Sequence, residues 1–283
     1  MTNPTGSRLY HSYAEKLPIV DYHCHLVARE IYENREFEDL GEMWLAHDHY
    51  KWRAMRTFGI GEDYITGSRS YYEKYMEFAR IMPCLAGNPL YIWCALELKR
   101  YFDIEEPLGP DNAEEIYRRT NQRIRELHMT PRWCMERSGV ELLSTTEDPA
   151  DSLEYHWKMK EEAAFKTRIL TAFRPDKAFY CEWKTFPDYI KILSGAAGQE
   201  IVDFPSLMGA LEQRLACFAE FGTTVSDNGI ADIAWEDYTA DQVEDVFRKA
   251  LMGEDLSRKE ISRYKSAFII EMAKLYKKYN FVM

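Results

Sequence analysis

Ile19-Val20-Asp21-Tyr22-His23-Cys24-His25 passes from an apolar pair straight into a polar cluster, and three later segments repeat the transition. Residues 140–143 run into Thr145-Thr146-Glu147-Asp148-Pro149, residues 169–173 into Arg174-Pro175-Asp176-Lys177, and residues 223–225 into Ser226-Asp227-Asn228-Gly229. Short apolar runs bounded in this way read as buried strands. Helical patterns lie between them, so βα units on a parallel sheet are expected. In a (β/α)8 barrel the active site collects at the carboxyl ends of the strands. One such cluster is ordinary turn chemistry, because Asp, Asn, Pro and Gly build loops. Four in one chain point to a site.

A fifth run opens at Phe281. The expected fold is therefore α/β, of the (β/α)8 TIM-barrel type, incomplete at about five of its eight strands. Residues 1–283 would form one N-terminal portion of a barrel. The first two strands are far apart, so a mostly helical insertion is expected over 30–135. Elsewhere Thr239 with Gln242, and Ser257 with Glu260, fit the capping box in which side chains satisfy orphan N–H groups at a helix start. Val243, Val246, Phe247 and Ala250 follow the first box, and Ile261, Tyr264, Phe268, Met272 and Leu275 follow the second, at helical spacing. Leu207, Leu211, Leu215 and Phe218 make another stripe, a helix is expected after Pro89, and a polar one over 112–127.

The chain has 283 residues, with 36 Lys and Arg against 47 Asp and Glu, for a net charge of −11. That balance argues against a sequence-independent grip on nucleic acid, which needs surplus cations facing phosphate. The basic stretch 53–56 is a candidate lining for a local anionic pocket. No apolar run approaches the roughly 18–20 residues that cross a bilayer. The start, Met1-Thr2-Asn3-Pro4, lacks a signal peptide's basic and apolar regions. Six scattered cysteines, none in CxxC spacing, read as reduced thiols. A cytoplasmic protein without nucleic-acid or membrane partners is expected.

His23 and His25 carry the sharpest chemical signal. Strand side chains alternate faces, so both imidazoles project to one side about 6–7 Å apart at Cα. Two neutral imidazoles converging there suit a divalent cation, with Zn²⁺ the usual choice for nitrogen ligands. The alternative is a pair hydrogen-bonded at a polar sheet end. His49 and Tyr50 stand side by side within Asp48-His-Tyr-Lys-Trp-Arg53 and are candidates for moving a proton, or else a solvated helix start. Arg174 has the planar donor fork that matches a carboxylate or phosphate, and Lys177 adds a second cation; the alternative is pairing with acidic neighbours. Asp227 is a candidate acceptor from sugar hydroxyls, or a base, or the closure of an Asx turn. A nucleophile elbow, a phosphate loop and a dinucleotide fingerprint are all absent.

Laid end to end, Pro18-Ile-Val-Asp-Tyr-His-Cys-His-Leu26, Asp48-His-Tyr-Lys-Trp-Arg-Ala-Met-Arg56, Gly87-Asn-Pro-Leu-Tyr91, Glu147-Asp-Pro149, Phe173-Arg-Pro-Asp-Lys-Ala178 and Ser226-Asp227 resemble uronate isomerase (glucuronate isomerase) of the amidohydrolase superfamily. The resemblance covers essentially the whole chain in the family's order. It implies an enzyme that interconverts D-glucuronate with D-fructuronate and D-galacturonate with D-tagaturonate, by proton transfer between C2 and C1. His23 and His25 would be the metal pair, His49, Tyr50 and Asp227 catalytic, and Arg174 with Lys177 the grip on the hexuronate. The resemblance also implies that the chain lacks the family's C-terminal third, and with it a third metal ligand. Association with that missing segment, or with further copies, is then expected. Asn228 stands where the family usually has His, and Ile92 and Ala95 replace histidines in the 87–95 segment. Two alternatives follow from these departures and from the wide use of His-x-His: a non-catalytic remnant or partner-dependent half, and a metal-dependent hydrolase of the same superfamily.

Overall fold

Four strands, β1 (Ile19–Cys24), β2 (Val140–Glu147), β3 (Arg168–Phe173) and β4 (Val225–Ser226), pair side by side in chain order, all parallel. The computed structural model describes residues 3–162, 165–231 and 235–283. Register is regular between β2 and β3, from Leu142 opposite Arg168 to Glu147 opposite Phe173. Strand β1 shifts register twice before Cys24 reaches Thr145. Val282 makes a parallel bridge to Val225, its N–H donating to the Thr224 carbonyl at 2.8 Å, so the fifth strand begins where the Phe281 run places it.

Helices α1 (Pro4–Leu9) and α2 (Ala28–Glu33) flank β1. Then come α3 (Leu40–Leu45), α4 (His49–Thr57), α5 (Tyr71–Ile81), α6 (Pro89–Phe102), α7 (Ala113–Leu127) and α8 (Pro131–Arg137), before β2. Helix α9 (Glu154–Lys160) follows β2, and α10 (Asp176–Phe179), α11 (Phe186–Ala197) and α12 (Phe204–Phe221) follow β3. Helices α13 (Ala240–Leu251) and α14 (Arg258–Tyr279) complete the chain order. No single helix is long and apolar enough to cross a membrane.

The chain divides into two units, Met1–Glu33 with Met135–Met283, and Asn34–Cys134. The first carries the sheet. Helices α11 to α14 bury Phe186, Phe218, Phe247, Tyr264 and Phe268 with Phe173 of β3 in one large core, and Ile31, Met159, Leu143 and Ile169 form a smaller one with α2 and α9. The helical unit has its own core around Trp44, Tyr75, Phe78, Cys94, Leu98 and Ile116. Both capping boxes read from the sequence are formed, at Thr239 and Ser257. Two more stand at Ser70 with Glu73 and at Asp203 with Ser206.

Strands run past the apolar stretches that mark them. β2 continues from Leu143 through Ser144, Thr145 and Thr146 to Glu147, and β1 continues to Cys24. β4 is shifted the same way, onto Val225–Ser226. The extra strand residues are polar, yet their side chains find partners inside the protein. Thr146 Oγ1 donates to the Cys24 carbonyl at 3.0 Å, Thr145 Oγ1 is hydrogen-bonded to His156 Nε2 at 2.7 Å, and the Thr171 and Thr223 hydroxyls bond to each other. A satisfied hydroxyl is cheap to bury, so apolarity underestimates strand length here.

The loop after β2 is held from α12. The Arg214 guanidinium donates to the carbonyls of Pro149 at 2.6 Å, Asp151 at 2.8 Å and Ala196 at 3.4 Å. An Arg214→Met variant should lose about 2 kcal/mol of unfolding free energy, since those carbonyls lose a charged donor. A urea midpoint equal to that of the parent would refute this.

Candidate active site

Ladder hydrogen bonds continue beyond the strand ends and line up the rim. The Arg174 N–H donates to the Glu147 carbonyl at 2.9 Å, and the Asp227 N–H to the Phe173 carbonyl at 3.0 Å. Three of the four polar clusters are thereby brought side by side at the carboxyl ends of β2, β3 and β4. The fourth reaches them through a side chain: His23 Nδ1 lies 2.9 Å from Asp227 Oδ2. His25 sits against His23 with ring centroids 4.9 Å apart and planes at 90°. Cys24, on the opposite face, joins the smaller core, and burial pushes its thiol up to about 12.

Asp227 is the hub. The oxygen that faces His23 also accepts from Arg174 Nη1 at 3.3 Å, and Arg174 Nε donates to Asp176 Oδ2 at 2.7 Å. Asp176 in turn accepts from the Gly229 N–H at 3.0 Å. A Cβ at Gly229 would collide with the Arg174 guanidinium and the Asp176 carboxylate, so glycine is what lets this backbone close over the arginine. Asp176 and Gly229 belong to polar clusters visible in the sequence, but their part in holding Arg174 depends on β3 and β4 being neighbours.

Lys177 does not join this network. Its Nζ lies 3.4 Å from Asp148 Oδ2 and 5.6 Å from the Tyr189 ring centroid, and Tyr189 Oη donates to Asp148 Oδ1 at 3.0 Å. It thus has the acidic partner that was the alternative to substrate binding. In the helical unit, His49 and Tyr50 open α4 with ring centroids 4.3 Å apart. Arg56 of the same helix is paired with Glu62, Nε to Oε2 at 2.9 Å, so the 53–56 stretch is partly neutralised.

Beside His25 a cavity of about 350 Å³ opens, lined among others by Thr146, Glu147, Ser152, Glu154 and His156. Burial raises the Glu147 carboxyl to about 7, and the carboxylates of Asp151 and Asp148 add to the rise. Burial also lowers His156 to about 4, and its Nε2 lies 3.5 Å from Glu147 Oε1. Reading the sequence for catalytic residues misses both groups. Glu147 is the carboxylate that closes β2, which is a signal, but His156 lies within a helix whose buried face shows only in the fold.

A divalent metal needs several donors converging on one point. Among the described residues no group of three or more His, Cys, Asp or Glu side chains is placed to hold one. His23 and His25 offer two imidazoles, while the Asp227 carboxylate is hydrogen-bonded to the first of them rather than standing as a third ligand. The residues present do not by themselves complete the three-ligand set of a catalytic zinc site.

A parallel βα sheet with its polar groups gathered at the carboxyl rim defines the class, a TIM-barrel-type α/β protein present here as its first four strands and the start of a fifth. The family model described as glucuronate isomerase matches residues 1–283, and the chain belongs to that family. It is 42% identical over its whole length to the uronate isomerases of Clostridium perfringens and Lachnospira eligens, covering 61% and 60% of them. It superposes on the crystal structure of uronate isomerase from Thermotoga maritima with a TM-score of 0.90 at 35% identity, over 99% of this chain and 61% of that one. Glucuronate isomerase from Caulobacter crescentus gives a TM-score of 0.89 at 25% identity, over 100% and 61%. The chain thus spans about three-fifths of the length of the relatives it matches.

Proposed function

We propose that this chain supplies the N-terminal strands and part of the active site of a uronate isomerase, acting on D-glucuronate and D-galacturonate to give the corresponding ketose acids. The observation that carries the reading is the Asp227 carboxylate shared between His23 and Arg174 on the rim of a chain that the family matches throughout. Arg174 commits one N–H to Asp176 and one to Asp227. A guanidinium has five, so three remain to receive the sugar-acid carboxylate. The reaction moves a proton between C2 and C1 through an enediol. His49 and Tyr50 are assigned to that transfer, with Asp227 as the group that orients His23 and accepts a hydrogen bond from Arg174.

His23 and His25 are assigned to a divalent metal, Zn²⁺ by donor type, whose chemistry when bound would be polarising the substrate carbonyl. At least one further ligand is then required. Lys177 is assigned to the outer edge of the hexuronate site, which requires its weak contact with Asp148 to be exchanged for the substrate. A cytoplasmic location is assigned on the six scattered cysteines, none in CxxC spacing and all free thiols. The open sheet makes association with further barrel strands, or with other copies, the natural partnership.

The test is ¹H NMR of purified residues 1–283 with D-glucuronate, with and without Zn²⁺. Ketose signals are expected when the C-terminal barrel strands of a uronate isomerase are supplied with this chain, which holds only part of the site. Anomeric signals that stay unchanged even then, at stoichiometric protein, would overturn the isomerase reading.

A further inference from the structure

Lys51 is one of the few charged side chains buried in the helical unit, at 6% exposure. Its Nζ donates to Asp48 Oδ2 at 2.6 Å. The other oxygen of that carboxylate caps α4, accepting from the N–H groups of Tyr50 at 2.9 Å and Lys51 at 3.1 Å. Asp48 is therefore gripped at both oxygens, by the first turn of α4 and by the ammonium from the same turn. The residues of that turn are His49 and Tyr50, whose rings touch with centroids 4.3 Å apart and planes tilted by 33°.

We propose that Lys51 is a positioning residue: its buried ammonium locks the Asp48 cap, and through it fixes where His49 and Tyr50 stand during proton transfer. The inference rests on the isomerase reading, which places those two side chains at the reacting carbons. Stability alone is a poor reason for this lysine. A buried ammonium is often matched or bettered by an apolar residue of similar volume, because its charge must be stripped of water, while the half-buried Asp48 keeps some of its own. The Lys51 Nζ already lies only 5.8 Å from the Trp44 ring centroid, so methionine would fill the same space. Burial works against the charge, but Glu97, Cys94 and Asp48 together outweigh it and hold the lysine above its ordinary pKa. What the ammonium adds is direction. A carboxylate held only by two backbone N–H groups can rotate and fray the turn, whereas a third donor on its far oxygen leaves it one orientation.

The experiment compares Lys51→Met, Lys51→Arg and the parent chain by amide hydrogen exchange and by turnover of D-glucuronate. For Lys51→Met, exchange at the Tyr50 and Lys51 amides should quicken about tenfold while Tyr75 and Phe78 keep their protection. Its kcat should fall about tenfold with KM within about twofold, the pattern of lost transition-state positioning. Lys51→Arg, which keeps a charged donor, should recover much of both. Lys51→Met with parental exchange at Tyr50 and Lys51 overturns the inference, as does parental kcat. A parent chain that does not convert D-glucuronate even with the C-terminal barrel strands supplied refutes the isomerase reading instead, and the exchange data then decide the Lys51–Asp48 lock alone.

Discussion

An Asp227→Asn variant is expected to lose about 10²- to 10⁴-fold in kcat/KM for D-glucuronate while melting within a few degrees of the parent. Asparagine keeps the shape and one acceptor oxygen, so the backbone bond from the Asp227 N–H to Phe173 should survive. What goes is the negative charge that faces two groups at once. One is His23, whose Nδ1 contact with the carboxylate selects the tautomer that leaves Nε2 free to act as a ligand or acceptor. The other is Arg174, which would keep only Asp176 as a charged neighbour. Arg174 would then lean toward Asp176 and away from the place assigned to the sugar carboxylate. The measurement is NMR turnover beside thermal denaturation. Parental turnover in a folded Asp227→Asn protein would remove Asp227 from the mechanism, and a collapse of the melting temperature would make its role structural.

Glu147→Gln should reshape the pH dependence of stability. Glu147 is raised to about 7 and His156 lowered to about 4, so the two act with opposite signs. A carboxyl raised in the folded state contributes stability that is present below its unfolded pKa and lost as pH climbs through about 7. A depressed histidine contributes stability that is present above its unfolded pKa and lost as pH falls through about 4. In the parent the two slopes largely cancel over about pH 4.5–6.5, which leaves a flat region and then a fall toward pH 7. Glutamine removes the first slope. The variant should therefore gain stability steadily from about pH 4 to 6.5, level off, and exceed the parent at pH 8 by on the order of 3 kcal/mol. At pH 4 the two should unfold at nearly the same urea concentration. A parent and variant that track each other from pH 4 to 8 would show that Glu147 is not held protonated by its burial.

The elements that could be read from the chain are those whose signal is local. Thr239 and Gln242, or Ser257 and Glu260, lie three residues apart and make their capping boxes as the spacing predicts. The stripe from Leu207 to Phe218 is the buried face of α12. Polar strand ends were harder. Ser144 to Glu147 look like loop, and become strand because β1 and β3 flank them and because His156, 11 residues on, meets Thr145. The site divides the same way. His23, His25, Arg174 and Asp227 stand out because each follows an apolar run, whereas the parts played by Asp176, Gly229, His156 and Lys51 need neighbours that the chain order does not display.

Sequence alone determined that this protein is built of strand-to-rim transitions, that its rim carries imidazole, guanidinium and carboxylate, and which family it resembles. Those facts are properties of residue type and short spacing. Only the tertiary structure decided that Asp227 lies between His23 and Arg174, the latter 53 positions earlier, because parallel pairing joins strands with no local contact between them. It also decided the Glu147 pKa and the burial of Lys51, since desolvation belongs to the surroundings of a charge and not to the charge itself.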